Sequence, residues 1–394
     1  MKIVVTGGGS GGHITPILAV AHELKKQRPD AEIIYIGQRG DKLLDIPAND
    51  PSIDATYDVW AGKLRRYADE NWRQWLNVRT QSLNIRDASR LARGVGQSYL
   101  LLKKLKPDVI FTRGGFVSVP VAIAGYLNHI PYITHDSDSV PSLANRLIAP
   151  RAAKHAVALP IELYPYPRSK TIEVGVPVSD KYIPVTDELR AKYRRQIGIA
   201  DDEQLVFVTG GGNGARALNQ AMVANAQYLL KTFPKLHIIH IAGRMLEDET
   251  NAGYTALALG KEARRRVHVH GYINGMAAYS GAADVVITRG GATTLAEFAI
   301  QGVACLIVPS KQLGWNVKNA QILTKEGAAL VLTEEQTEQP ERLGRALGEL
   351  LANDTKRKTL GRKMAAYAHP EAATELAELI VKVAGGKAHA RSKG

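Results

Sequence analysis

A glycine-rich run set between an apolar stretch and an amphipathic one constrains a chain strongly, and this chain carries two. Ile3-Val4-Val5 leads into Thr6-Gly7-Gly8-Gly9-Ser10-Gly11, and 203 positions later Leu205-Val206-Phe207-Val208 leads into Thr209-Gly210-Gly211-Gly212-Asn213-Gly214. Consecutive glycines let the backbone turn sharply and approach a ligand closely, and a helix that starts there aims its amide N–H groups at an anion. A second pair agrees: Phe111-Thr112-Arg113-Gly114-Gly115 is answered by Ile287-Thr288-Arg289-Gly290-Gly291. Strand, glycine loop and helix in both halves predict an α/β chain of two Rossmann-like, doubly wound domains facing across a cleft, with ligands between them.

The length fits, because 394 residues exceed what one hydrophobic core usually organises. Apolar spacing predicts a helix over 16–27 behind Pro16, a strand over 32–36, a helix near 87–105, and then strand 108–112, helix 119–127 and strand 131–135. The second half predicts strands at 205–209, 237–242, 267–270, 284–288 and 304–308, with helices at 215–232, 275–280, 294–301 and 319–325. Pro160, Pro165 and Pro167 read as the interdomain linker. The expected division is therefore 1–160, 161–368, a C-terminal helix over 369–384 able to pack back on the first domain, and a disordered basic tail over 385–394. Cys305 lies in an apolar run and reads as a buried hydrophobe, with no disulfide expected. No apolar stretch reaches the roughly 18 residues that span a bilayer, and Met1 to Gly7 run straight into strand and loop, so the chain is expected to stay inside the cell.

The net charge of +13 is concentrated. Residues 61–106 hold eleven Lys and Arg against three Asp and Glu, and Trp60, Trp72, Trp75, Tyr67 and Leu76 lie in or beside the same stretch. Indole rings at headgroup level with Lys and Arg on phosphate suit an anionic membrane surface. A solvated helical face with a few buried aromatics fits as well, and nucleic acid is a third, less favoured partner.

The first glycine run is neither a dinucleotide fingerprint, since the second strand ends in Gly37-Gln38-Arg39 without an acid, nor a Walker loop, since no Lys-Ser/Thr follows. His13 at its foot is either a loop-fixing hydrogen bonder or a base for an alcohol proton. Further on, Gly271-Tyr272-Ile273-Asn274-Gly275-Met276 and Gly290-Gly291-Ala292-Thr293-Thr294 precede Glu297, placed on the first turn of a helix. A carboxylate there either caps the helix or accepts the hydroxyls of a ribose.

As a set, Gly7-Gly8-Gly9-Ser10-Gly11-Gly12-His13-Ile14-Thr15-Pro16, Gly114-Gly115-Phe116-Val117-Ser118, Val174-Gly175-Val176-Pro177-Val178, Gly210 to Ala215 with Leu218-Asn219, and Gly290 to Gly302 resemble the MurG family over about residues 1–335. The resemblance implies the two-domain GT-B fold. It implies an inverting transfer of N-acetylglucosamine from UDP-N-acetylglucosamine to an undecaprenyl-diphosphate-linked muramyl peptide, in peptidoglycan synthesis at the cytoplasmic face of the membrane. On that resemblance Gly9, Ser10, Gly11, Gly12, Gly115 and Phe116 meet the acceptor, and His13, Asp136 or Asp138 serves as base. Gly211, Gly212, Asn213, Ile273, Met276, Thr293, Thr294, Glu297, Asn316 and Asn319 meet the donor: Ile273 and Met276 at the uracil, Glu297 at the ribose, and Thr293 and Thr294 at a helix terminus facing the departing phosphates. No cofactor and no metal is implied. The chain departs from the family pattern at Ser179 in place of an arginine, at Gly212-Asn213 in place of Ser-Gln, and at Trp315-Asn316 in place of a glutamine pair. It departs again at Phe116 in place of a tyrosine and at His135-Asp136-Ser137-Asp138 in place of His-Glu-Gln-Asn. Arg113 and Arg289 are candidates to supply positive charge lost at Ser179.

Overall fold

The computed structural model describes residues 1–9, 11–62, 78–339 and 341–391. Ser10, and Tyr67, Trp72, Trp75 and Leu76 of the aromatic and basic stretch, lie outside these. The chain divides into two units, Met1–Ser179 with Glu371–Gly394, and Asp180–Pro370.

The first unit is built on a parallel sheet of β1 (Lys2–Thr6), β2 (Glu32–Gln38), β3 (Ala55–Val59), β4 (Val109–Thr112), β5 (Tyr132–Asp136), β6 (Lys154–Val157) and β7 (Thr171–Glu173). Their order is β3-β2-β1-β4-β5-β6-β7. Side chains alternate across a strand. Ile3, Val5, Ile33 and Phe111 accordingly pack on Ile14 and Ile17 of the helix Gly11–Gln27 and on Leu376 and Ile380 of the helix Ala372–Arg391. Val4, Ile34 and Ile110 face the other way, onto Leu102, Val119 and Val121. Both faces of the sheet are covered, which is why its strands read as continuous apolar runs.

The second unit repeats the plan with β8 (Gln204–Thr209), β9 (Leu236–Ile241), β10 (Val267–His270), β11 (Val285–Thr288), β12 (Cys305–Ile307) and β13 (Leu330–Val331), in the order β10-β9-β8-β11-β12-β13. Val206, Val208, Val285 and Ile287 pack on one side with Met222, Leu229 and Leu347. Leu205, Phe207, Val286 and Ile307 pack on the other with Phe298 and Leu323.

In each sheet the strand order reverses direction between the first and fourth strands in sequence. β1 pairs with β4, Thr6 opposite Thr112, and β8 pairs with β11, Thr209 opposite Thr288. The four glycine-rich echoes are thus the four loops at the carboxyl ends of the strands that flank the switch points, where open α/β sheets bind ligands.

Four sequence expectations are corrected. The proline-rich stretch is no interdomain linker, because β7 beyond it pairs with β6, and Tyr164 and Tyr166 fold under the sheet edge against Val157. The helix expected behind Pro16 begins at Gly11, with Pro16 inside it. The basic tail is helical as far as Arg391, as a continuation of the helix from Ala372. Glu297 belongs to the second turn of its helix, since that helix starts at Ala292 and not at Thr294.

Candidate active site

In the first unit the in-register ends of β1 and β4 send Gly7–Gly9 and Arg113–Gly115 out side by side. They lie so close that a Cβ on Gly115, whose φ is +83°, would stand 2.9 Å from the Gly8 carbonyl oxygen. Only glycine fits such an approach. Gly9 turns at φ +85°, its amide donating to Asp41 Oδ2 at 3.1 Å, and the helix opens at Gly11. Gly11, Gly12 and His13 therefore occupy the first helical turn, whose N–H groups have no acceptor within the helix and carry its positive dipole end.

Beneath that turn lies a buried cation. Arg113 donates from Nη2 to the Gly12 carbonyl at 2.9 Å and from Nη1 to His135 Nδ1 at 3.0 Å and to Ser137 Oγ. His135 in turn donates from Nε2 to the Gly175 carbonyl at 2.9 Å, which fixes its tautomer. Burial lowers the Arg113 pKa to about 10, against the pull of Asp138 and Asp136, so it stays charged at neutral pH. Burial first and the Arg113 charge second push His135 down to about 3. The same two causes take His13 to about 4, while its backbone hydrogen bond to Arg113 opposes them. His13 is a neutral imidazole at physiological pH, and its Nδ1 has no hydrogen-bond partner.

The two aspartates differ. Asp136 accepts from the Ser142 amide at 3.0 Å and from the Tyr166 hydroxyl at 2.7 Å, one bond on each carboxylate oxygen, and burial raises its pKa. It braces β5 against the Tyr166 segment, whose ring stacks on His155 at 4.1 Å. Asp138 is half-buried and acts on Arg113 by charge. Phe116 is half-buried against the core face that includes Val4 and Val119.

In the second unit Gly211, at φ +80°, donates its amide to Thr209 Oγ1 at 3.2 Å, and Gly212 and Asn213 are exposed on the loop. Gly214 at φ +71° passes so near β9 that a Cβ would lie 2.0 Å from the Ala242 carbonyl oxygen. Ile273 and Met276 flank Gly275, at φ +72°, at the start of the helix Met276–Ala282. Thr293 and Thr294 occupy the first turn of the helix Ala292–Gln301. Asn316 and Asn319, both buried, donate side-chain amides to the Gly290 carbonyl at 3.2 and 2.9 Å and so fasten the loop before that helix. Trp315 beside them is exposed. Glu297 is buried, its pKa raised to about 8 by desolvation, and it accepts a hydrogen bond from the Tyr182 hydroxyl, which lowers it in part. Tyr182 carries no sequence signal of this contact: it stands in an irregular segment before the helix Asp187–Ile197.

The comparisons match this plan unit by unit. The N-terminal domain of glycosyltransferase family 28 matches residues 3–157 and its C-terminal domain matches residues 205–376. A curated UDP-N-acetylglucosamine–N-acetylmuramyl-(pentapeptide) pyrophosphoryl-undecaprenol N-acetylglucosamine transferase of Desulforudis audaxviator is 32% identical over 395 residues, covering 98% of this chain and 99% of its own. The chain belongs to the MurG family of glycosyltransferases. A Bacillus cereus transferase of the same name, numbered 2, is 34% identical over 85% of this chain and 87% of its own. Among solved structures, Acinetobacter baumannii MurG superposes with a TM-score of 0.69 at 24% identity, covering 97% of this chain and 99% of that one. The calicheamicin glycosyltransferase CalG4 superposes with a TM-score of 0.65 at 14% identity, over 98% of each chain. These two likenesses concern fold, and the fold of this MurG-family chain is GT-B.

Proposed function

We propose that this chain transfers N-acetylglucosamine from UDP-N-acetylglucosamine to undecaprenyl-diphosphate-linked N-acetylmuramyl-pentapeptide, converting lipid I to lipid II. The observation that carries this is the likeness, over 98% of the chain, to an enzyme named for that reaction. The geometry supports a division of labour. The loop Gly7–Gly9 with the helix start at Gly11, backed by the Arg113 cation, suits the acceptor diphosphate. His13, neutral and with an unpartnered Nδ1, is the base we assign to the muramyl hydroxyl, in preference to Asp136, whose two oxygens are already bonded. The hydroxyl attacks the anomeric carbon, its proton passes to His13, and the bond to UDP breaks with inversion. The leaving phosphates gain charge near the Thr293–Thr294 helix start, where amides and dipole meet it. Glu297 holds the ribose, with Ile273 and Met276 at the uracil. Asn316 and Asn319 serve the donor by holding Gly290.

The acceptor is a lipid, and among the described residues no helix is long and apolar enough to cross a membrane. We place the enzyme peripherally on the anionic cytoplasmic surface. The helix Ser118–Leu127, directly after the acceptor loop, leaves Tyr126 46% and Leu127 51% exposed, and Arg151 stands 5.1 Å from the centre of the Tyr126 ring. An exposed aromatic and leucine beside arginine suit a headgroup layer.

The deciding experiment measures UDP release with lipid I in anionic or zwitterionic vesicles, with UDP-N-acetylglucosamine, UDP-glucose or UDP-galactose as donor. Acceptor-dependent release with the N-acetyl donor, faster on anionic vesicles, is expected. Turnover with another donor only would reassign the sugar to the departures at Asn213 and Trp315, and UDP binding without turnover of any donor would overturn the reading.

A further inference from the structure

The two sheets carry a buried polar ring at the same register position. Tyr35 on β2 stands opposite Val5, and His240 on β9 stands opposite Val208, each one step before the threonine that leads into a glycine loop. In the first unit the Tyr35 hydroxyl donates directly to the Gly7 carbonyl. In the second the link is longer. His240 Nδ1 lies 2.9 Å from the Tyr254 hydroxyl and its Nε2 3.0 Å from Asn219 Oδ1, while Asn219 Nδ2 donates to the Ala242 carbonyl at 3.0 Å and to Thr250 Oγ1 at 3.1 Å. His240, Asn219, Thr250 and Tyr254 are all buried, so each depends on the others for its partners.

The far end fixes the polarity of this relay. Ala242 offers a carbonyl, so Asn219 must turn its amide nitrogen there; turned over, its oxygen would face that carbonyl, acceptor against acceptor. The Asn219 oxygen is left for His240, whose Nε2 must carry the proton, and the neutral ring then accepts at Nδ1 from Tyr254. Donation runs one way, from Tyr254 through His240 and Asn219 to Ala242. The second glycine loop rests on that last residue. A Cβ on Gly214 would stand 2.0 Å from the Ala242 carbonyl oxygen, and one on Gly243, at φ +95°, would stand 2.6 Å from Gly214 Cα and 2.8 Å from the Asn213 carbonyl oxygen. The helix Glu247–Ala256, which carries Tyr254, is tied to the same turn: the Leu246 amide before it donates to the Gly243 carbonyl at 2.9 Å, and the Thr250 hydroxyl donates to the Leu246 carbonyl at 2.7 Å.

We propose that Tyr254 and His240 are positioning residues for the donor, acting through Asn219 and the Ala242 carbonyl to set the second glycine loop against its ligand. The inference rests on the donor role that the family resemblance gives to Gly211, Gly212 and Asn213. Backbones in such close contact move together, so the place of the loop follows that of Ala242. Without the imidazole, the buried Asn219 oxygen has no donor, and the amide can turn away from Ala242 to find one. The loop then holds the binding geometry for a fraction of the time, and donor affinity falls by that fraction.

The test is steady-state kinetics of the full chain with UDP-N-acetylglucosamine and lipid I, for the wild type, His240→Leu, His240→Gln, Tyr254→Phe and Gly212→Leu. Gly212→Leu reports whether the loop meets the donor, since a Cβ there meets nothing within 4 Å and its added side chain crowds a ligand rather than the core. It should raise the donor KM. His240→Leu should raise the donor KM roughly five- to fiftyfold and leave the acceptor KM within about twofold, because the acceptor loop belongs to the other unit. Glutamine can donate where Nε2 stood, and His240→Gln should recover most of the loss. Tyr254→Phe, which removes one oxygen and keeps the ring, should raise the donor KM about two- to tenfold. A purely structural role would lower the active fraction, and so kcat, with both KM values unmoved; that pattern in His240→Leu overturns the proposal. Should His240→Leu fail to fold, an unchanged donor KM in Tyr254→Phe overturns it equally. An unchanged donor KM in Gly212→Leu removes the loop from the donor, and the proposal with it.

Discussion

At the residue scale the first glycine loop leads into a helical turn in which a buried cation sits beneath a neutral imidazole. A general base must be unprotonated at working pH, and His13, with its pKa lowered to about 4 by burial and then by the Arg113 charge, meets that condition throughout the neutral range. The acid limb of kcat/KM should therefore lie well below pH 6, with a flat profile from there to neutrality. Replacing Arg113 by methionine removes the second cause and leaves burial, so the His13 pKa rises without regaining its ordinary value, and the acid limb moves upward. His13→Asn should lower kcat by about 10²–10⁴ while donor KM changes little. An Arg113→Met enzyme whose pH profile matches the wild type would show that the two side chains are not coupled through the base. The sequence supplied His13 as a candidate and Arg113 as half of an echo, but gave no distance between them. Their meeting depends on Thr6 and Thr112 being register partners, a tertiary fact that periodicity within either segment does not contain.

At the scale of elements, the instructive error is the start of the first long helix. Pro16 reads as a first-turn proline, and glycines before it read as loop, because both residues are poor inside helices. The helix nevertheless begins at Gly11. Pro16 has no N–H for the carbonyl four residues earlier, that of Gly12, and Arg113 Nη2 donates to that oxygen instead at 2.9 Å. A cation from the neighbouring strand end thus supplies what the helix interior lacks, and no local propensity could reveal it. The core strands and helices around the glycine loops were legible because both sheet faces are buried and the apolar runs are long. The short edge strand β7 and the helix Asp187–Ile197 were missed, the first for its three residues and the second for its mean hydrophilicity. The echoed loop after β11 gives an element-scale prediction. A Cβ on Gly290 would stand 2.2 Å from the Asn316 backbone oxygen, whereas one on Gly291, at φ −74°, meets nothing within 4 Å. Gly290→Ala should cost about 1–3 kcal/mol through overpacking, and should weaken UDP binding by displacing the helix Gly314–Lys325 from the loop. Gly291→Ala should leave stability within about 0.5 kcal/mol, and denaturant unfolding of the pair checks the contrast.

At the scale of the whole molecule, buried titratable groups in both units set the pH range of stability, and their signs oppose. His13, His135 and His155 in the first unit and His240 in the second have pKa values lowered to between about 3 and about 4, each with burial as the largest cause. As pH falls below about 6.5 the unfolded chain takes up protons on these imidazoles that the folded chain refuses, so stability is lost on acidification. Glu297 acts the other way. Its folded pKa of about 8 lies above the unfolded value, so its contribution is fully present below about pH 4.5 and is lost as pH rises through 8. Below pH 6 the four imidazoles outnumber Glu297 and Asp136, whose pKa burial also raises, and their sign prevails. Above pH 7 they are neutral in both states and the carboxyl prevails. Maximal stability is therefore expected near neutrality, falling by about 1.4 kcal/mol per pH unit for each net proton exchanged and more steeply on the acid side. Urea unfolding followed by circular dichroism from pH 5 to 9 measures this directly. Glu297→Gln, which cannot ionise, should flatten the alkaline limb while leaving the acid limb in place. An alkaline limb that survives the substitution would place its origin in another group and remove Glu297 from the balance. Stability that holds or rises from pH 6.5 to 5 would mean that the buried imidazoles accept protons in the folded chain, and would take from His13 the neutral state on which its role as base depends.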